Sequence, residues 1–135
     1  ELNPKQKRGY ALFFTESEPR LGETGADCFH CHGGAMFTDH QFHNNGLPGE
    51  DLGLYLITNR ESDRRKFSTP SLRNIAETAP YMHDGRFQSL EEVIEHYNGS
   101  FERSDTLDPN LAKHPSGLNL SQADKRALIA FLKTL

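Results

Sequence analysis

The run Cys28-Phe29-His30-Cys31-His32 constrains this chain more than any other feature. It is a Cys-x-x-Cys-His motif, the attachment signature of c-type haem. Two thiols three residues apart can bond to the two vinyl groups of one haem, and the adjacent histidine then offers an imidazole nitrogen to the iron. The chain holds two cysteines in all, so the motif uses both. Three other readings compete. A redox dithiol is normally set in a βαβ pattern, and none surrounds this one. A zinc site completed by His40 and His43 has pairs spaced more closely than the roughly 12 residues, and roughly 3 to 5 between histidines, that zinc fingers use. A disulfide across so short a loop is strained.

Size fits a cofactor-centred domain. At 135 residues the chain suffices for one domain, 1–135, with little to spare. Apolar residues make up 35% and mean hydropathy is −0.71, low for a self-sufficient core; a haem supplies apolar volume. The net charge of −4 gives no footprint for nucleic acid. No apolar run approaches the ~18 residues of a membrane span. The chain opens Glu1-Leu2-Asn3-Pro4, which reads as mature or trimmed rather than as a signal peptide. Thioether attachment normally takes place outside the cytoplasmic membrane, so a periplasmic location is expected.

Punctuation along the chain predicts an all-α fold with long loops. Pro4 suits the first turn of a helix over 4 to about 15, with Tyr10, Phe13 and Phe14 as its apolar stripe. Residues 16–27 read as loop, and Gly33-Gly34 ends any helix at the motif. Residues 38–69 are rich in turn formers, and a mostly irregular excursion is expected there, organised by the cofactor. Thr69-Pro70 looks like a helix start. Ser89-Leu90-Glu91-Glu92 is a capping box opening a helix through about Tyr97, stopped by Asn98-Gly99. A loop over 100–119 follows, then a last helix capped by Ser121 and Asp124, with Leu128, Phe131, Leu132 and Leu135 on its apolar face. Helices at both ends with loops between them are the layout of a small, class I cytochrome c-like domain around one covalent haem c. Its first and last helices should cross, with Gly9, Phe13 and Phe131 at the contact.

The stretches Lys66-Phe67-Ser68-Thr69-Pro70-Ser71-Leu72-Arg73-Asn74-Ile75 and Thr78-Ala79-Pro80-Tyr81-Met82-His83-Asp84-Gly85-Arg86-Phe87, with Leu90-Glu91-Glu92-Val93-Ile94 and His96-Tyr97, carry a family resemblance. The chain resembles the C-terminal haem domain of the bacterial di-haem cytochrome c peroxidase/MauG family over nearly its whole length. The resemblance implies an electron-transfer haem, with the peroxide-reacting haem and its glutamate in an N-terminal half. An N-terminal haem domain or another redox protein is then the electron partner. Two alternatives stand beside it: a stand-alone monohaem carrier, and an independent peroxidase with an open iron site.

The ligand set follows in part from residues and in part from resemblance. His32 is the expected fifth ligand, its other ring nitrogen held by a backbone carbonyl. For the opposite face, the resemblance favours Tyr97, since MauG-like members have tyrosine where the peroxidases have methionine. Chemistry alone favours Met82, a soft thioether. His96 would give bis-histidine ligation but points elsewhere on a helix, and Met36 is too near the motif. Arg73 is a natural partner for a haem propionate. The resemblance places His83 near the haem, contacting a propionate or an interdomain surface, and matches Thr78 and Pro80 to positions whose carbonyls bind calcium. His30, His40, His43 and His114 read as exposed or structural. The acidic run Glu16, Glu18, Glu23 and Asp27 reads as a solvated loop able to steer a basic partner.

Overall fold

The computed structural model describes residues 1–135 and is built on two crossing helices. Helix α1 spans Pro4–Phe14. Asn3 caps it, accepting from the Gln6 amide while the Gln6 side chain accepts from the Asn3 amide, and Pro4 fills the first helical position. Helix α5 spans Gln122–Leu132 and is capped by Ser121, whose hydroxyl accepts from the Asp124 amide at 3.1 Å. Their apolar stripes pack together: Leu12, Phe13, Leu128, Phe131 and Leu132 are nearly inaccessible, each such burial contributing about 2 kcal/mol. The Phe131 ring meets Phe13 edge-on at 5.4 Å and Tyr10 at 5.5 Å. Gly9 sets the closeness of the crossing. A Cβ there would lie 2.7 Å from Cβ of Phe131 and closer still to the Ala127 carbonyl oxygen. The expected contact of Gly9, Phe13 and Phe131 is therefore present.

The end of α1 positions the Cys-x-x-Cys-His run. Carbonyls at a helix C-terminus lack intrahelical partners. Here the Leu12 carbonyl accepts from the Ala26 amide at 2.8 Å, and the Thr15 carbonyl from the Asp27 amide at 3.2 Å. So close a docking requires Gly25, where a side chain would overlap the Thr15 backbone. Cys28–His30 then forms a single 3₁₀ turn.

The middle of the chain is irregular, as expected over 38–69, but it is not free of order. Strand β1 (Phe42–His43) pairs antiparallel with strand β2 (Phe67–Ser68). Between them lie helix α2 (Tyr55–Thr58) and a 3₁₀ turn at Glu61–Asp63. The all-α expectation is thus corrected to a helical fold carrying one small ladder. Thr69-Pro70 starts no helix: the Thr69 carbonyl accepts from the Thr38 hydroxyl and its amide donates to Gln41, so the segment straps a neighbouring loop. A 3₁₀ turn at Ile75–Glu77 is the only helical piece that follows before α3.

Helix α3 spans Leu90–Glu95, opened by the Ser89/Glu92 capping box. It then widens into a π-helical turn over His96–Ser100 rather than ending regularly at Tyr97. A π turn of this kind re-aims side chains and recurs at functional positions. Helix α4 (Pro109–Ala112) occupies the region expected to be plain loop, with Asp108 capping it and Pro109 in its first turn.

Candidate functional site

The histidine of the motif is prepared as a ligand. Nδ1 of His32 lies 3.0 Å from the Phe37 carbonyl oxygen. That bond makes Nδ1 the protonated nitrogen and leaves Nε2 bare, the state that metal ligation requires. Burial lowers the His32 pKa against the opposing pull of the Phe37 carbonyl and Asp39, so the neutral ring is favoured. The carbonyl is itself held in place. The loop closes through the Phe37 and Thr38 amides on the carbonyls of Gly34 and Gly33, and the Asp39 amide donates to the Cys31 carbonyl at 2.8 Å. The strap 69–73 clamps it from outside: Ser71 donates to the Met36 carbonyl at 2.6 Å, and Arg73 donates twice to the Ala35 carbonyl.

Cys28 and Cys31 are free thiols. Burial, with Asp27 and the neighbouring Cys31, pushes Cys28 up to about 12. Burial, with Asp108, Asp39 and Asp27, does the same to Cys31. A catalytic dithiol needs a thiolate near neutral pH, hence a lowered value. The buried, electronegative setting here works against that reading. The zinc quartet does not assemble either. His43 approaches Cys31 together with Asp39. Its two nitrogens are, however, already engaged, Nε2 with Asp39 and Nδ1 with Asp108, both at 2.6 Å. His40 is exposed.

From the far half of the chain, the π turn delivers Tyr97 to the same region. Burial pushes the Tyr97 phenol up to about 12; the Asn45 amide counters this, and Cys31 and Cys28 act on it electrostatically. The phenol, on a half-buried residue, is therefore within electrostatic reach of both thiols. Asn45 Nδ2 donates to Tyr97 Oη at 3.2 Å and approaches Met82 Sδ at 3.6 Å. The two candidate ligands thus converge on one amide. His96 does not join them: it is buried, and its Nε2 donates to the Asn45 carbonyl at 2.8 Å. Met36 is exposed.

The other expected residues fall outward. Arg73 lies over the Phe37 ring at 4.9 Å as well as on Ala35, so in this structure it braces the His32 loop. His83 stacks on Phe67 with centroids 3.6 Å apart. Thr78 and Pro80 are exposed, and two carbonyls fall short of the roughly six to eight oxygens that calcium takes. Asp27 departs from its reading as part of a solvated loop. It is buried, with His30 at 2.8 Å and Lys113 at 2.6 Å. His114 is almost wholly buried. Asn45 was not singled out by sequence reasoning, because in Asn44-Asn45-Gly46 it reads as a turn former; its role needs the fold of residues 82 and 97 around it.

Thiol, thiol and imidazole on one loop, with a phenol and a thioether facing inward from distant segments, are the donors that a covalently attached haem requires. Comparison with known proteins agrees. MauG of Methylorubrum extorquens is 39% identical to the chain over 132 residues, 96% of this chain and 34% of the relative. A cytochrome-c peroxidase, IdrP2 of Denitromonas iodatirespirans, is 33% identical over 164 residues, 99% of this chain and 40% of the relative. The chain belongs to the bacterial di-haem cytochrome c peroxidase/MauG family. Among solved structures, a MauG-like protein associated with microbial copper homeostasis superposes with a TM-score of 0.83 at 35% identity, covering all of this chain and 44% of that one. The diheme peroxidase BthA of Burkholderia thailandensis, at 20% identity and a TM-score of 0.66, shares the fold; it covers 98% of this chain and 42% of that one. No protein-family model matches the chain. The chain spans about two fifths of the length of the curated relatives in this family that it matches.

Proposed function

We propose that these residues form a haem c electron-transfer domain, the counterpart of the C-terminal haem domain in a di-haem peroxidase or MauG-like oxidoreductase. In this reading 1–135 is one class I cytochrome c-like domain. Cys28 and Cys31 would attach the haem, and His32 Nε2 and Tyr97 Oη would hold its iron. The observation that carries the reading is the half-buried Tyr97 phenol, held by Asn45 at 3.2 Å and within electrostatic reach of both motif thiols, on a segment far from His32 in sequence. When bound, the haem supplies one-electron redox chemistry and its potential follows the axial ligands.

The chain's own residues have separable tasks. Phe37 fixes the His32 tautomer through its carbonyl. Arg73 and Ser71 hold the loop that carries that carbonyl. Leu72, Phe37 and Ile94 line up with the helix-crossing core and exclude water. An anionic oxygen ligand stabilises the oxidised form, which suits a domain that stores oxidising equivalents. Arg73 and His83 remain the residues proposed to meet the propionates or an interdomain surface. The electron partner is an N-terminal haem domain or another redox protein. No helix is long and apolar enough to cross a membrane; thioether attachment, which normally takes place outside the cytoplasmic membrane, supports a periplasmic location.

The test is absorption and electron paramagnetic resonance of the protein purified from a host that attaches haem c. A low-spin, six-coordinate ferric spectrum that changes in Tyr97→Phe is expected. A high-spin spectrum together with direct reaction with peroxide overturns the electron-transfer reading and makes the domain a catalytic centre.

A further inference from the structure

Asn45 sits where three otherwise unrelated segments meet. Its backbone carbonyl accepts from His96 Nε2, and His96 is itself buried beside the Phe87 and Phe101 rings. That bond fixes the Asn45 backbone. Its side-chain amide has two protons and two neighbours: Tyr97 Oη at 3.2 Å and Met82 Sδ at 3.6 Å. A thioether can only accept, so the NH₂ end of the amide must face Met82. Met82 arrives at this point on an unusual backbone. Its φ is +73°, a region that residues with long side chains enter at a cost and that concentrates at functional positions. A turn sustains it: the Tyr81 amide donates to the Phe87 carbonyl at 2.8 Å, and the Gly85 amide to the Met82 carbonyl at 3.3 Å.

We infer that Asn45 is a positioning residue that selects between two competing side chains, holding the Tyr97 oxygen as the sixth ligand and Met82 in reserve. This rests on the ligation reading above. The chemistry of the two acceptors sets the preference. A hydrogen bond to an anionic oxygen is about twice as strong as one between neutral groups, whereas a thioether is a weak acceptor. One amide proton therefore favours the phenolate oxygen, and the other occupies a sulfur lone pair. Without the amide, the oxygen loses its support and the sulfur is released. The ligand then shifts from one that stabilises ferric haem to one that raises the potential.

Four variants of the haem-loaded chain test this, read by ferric absorption, electron paramagnetic resonance and reduction potential rather than by turnover. Asn45→Leu should lose most of the tyrosinate signature, gain the far-red thioether–iron charge-transfer band and move to higher potential. Asn45→Asp keeps the side chain's size while reversing donor to acceptor, so it guards against a folding defect and should shift the same way. Tyr97→Phe should show the thioether band in full, and Tyr97→Phe/Met82→Leu should show neither signature. Wild-type spectra and potential in both Asn45 variants, with Tyr97→Phe altered, overturn the role of Asn45 and leave Tyr97 ligation standing. A high-spin Tyr97→Phe without the thioether band overturns Met82 as reserve. An unchanged Tyr97→Phe overturns the ligation reading itself, and the role of Asn45 with it.

Discussion

Arg73 closes a two-pronged bond on the backbone of Ala35, its Nε at 2.9 Å and one terminal nitrogen at 2.7 Å from the same carbonyl oxygen. The guanidinium also covers the Phe37 ring, and Phe37 is the residue whose carbonyl holds His32. An exposed arginine is thereby one step removed from the expected iron ligand. Arg73→Ala should cost only about 1 kcal/mol of global stability, since the contacts are solvent-exposed. Locally the effect should be larger: amides 33–38 should exchange hydrogen faster, with those of α1 and α5 unchanged. Exchange measured by mass spectrometry on peptides covering 33–38 checks this, and equal protection in both proteins would refute the bracing role.

The two free thiols, three residues apart and held protonated, predict how the cofactor is retained. Protein from a maturation-competent host should carry the mass of one haem that denaturing acid does not extract. Either single serine variant at Cys28 or Cys31 should keep one thioether, with a red-shifted haemochrome. The double variant should release all its haem. Retention of covalent haem by the double variant would rule these cysteines out as the attachment points.

Much of this arrangement was legible in the sequence because it is local. Pro4, Ser89 with Glu92, and Ser121 with Asp124 mark helix starts within a single turn, and each of those helices begins there; the Asn3/Gln6 capping box ahead of Pro4 is an equally local signal that the sequence reading passed over. Cys28, Cys31 and His32 announce themselves by spacing. What failed was non-local. Thr69-Pro70 has the chemistry of a helix start, but Thr38, Ser71 and Arg73 tie this segment across to residues 35–41, and tertiary bonds outweigh propensity. The ladder of Phe42–His43 with Phe67–Ser68 is two residues per strand, too short to show alternation. Asn45 escaped notice for the same reason: its partners lie 37 and 52 residues away.

His43, read as exposed or structural, bridges two carboxylates, and this predicts a pH dependence. Burial works against its charge, but hydrogen bonds to Asp39 and Asp108 prevail and hold its pKa above the ordinary 6.5. A raised histidine contributes stability that is complete below the unfolded value and lost as pH rises through the folded one. Asp39 is lowered despite burial, through the Gln41 amide and His43; its share is complete above the ordinary carboxylate value and lost as pH falls through the lowered one. The pair is therefore at full strength between about pH 4 and 6.5. His43→Asn should lower the urea midpoint clearly at pH 5.5 and much less at pH 8.5. An equal loss at both would mean that packing, and not charge, is what His43 contributes.

Gly9 offers the sharpest test of the fold. Alanine in the middle of a helix is ordinarily better than glycine by about 1 kcal/mol. At Gly9 the new methyl would press on the Ala127 carbonyl and on Cβ of Phe131. Neither can yield without moving a helix, because one is backbone and the other the root of a buried ring. Separating α1 from α5 would loosen the edge-on contacts of Phe131 with Phe13 and Tyr10. Overpacking of this kind costs ~3 kcal/mol, enough to outweigh the gain in propensity. Gly9→Ala should therefore destabilise by about 2 kcal/mol in denaturant unfolding, and Gly9→Val, with more bulk and poorer propensity, by more. A stabilised Gly9→Ala would show that the helices do not cross at the distance described.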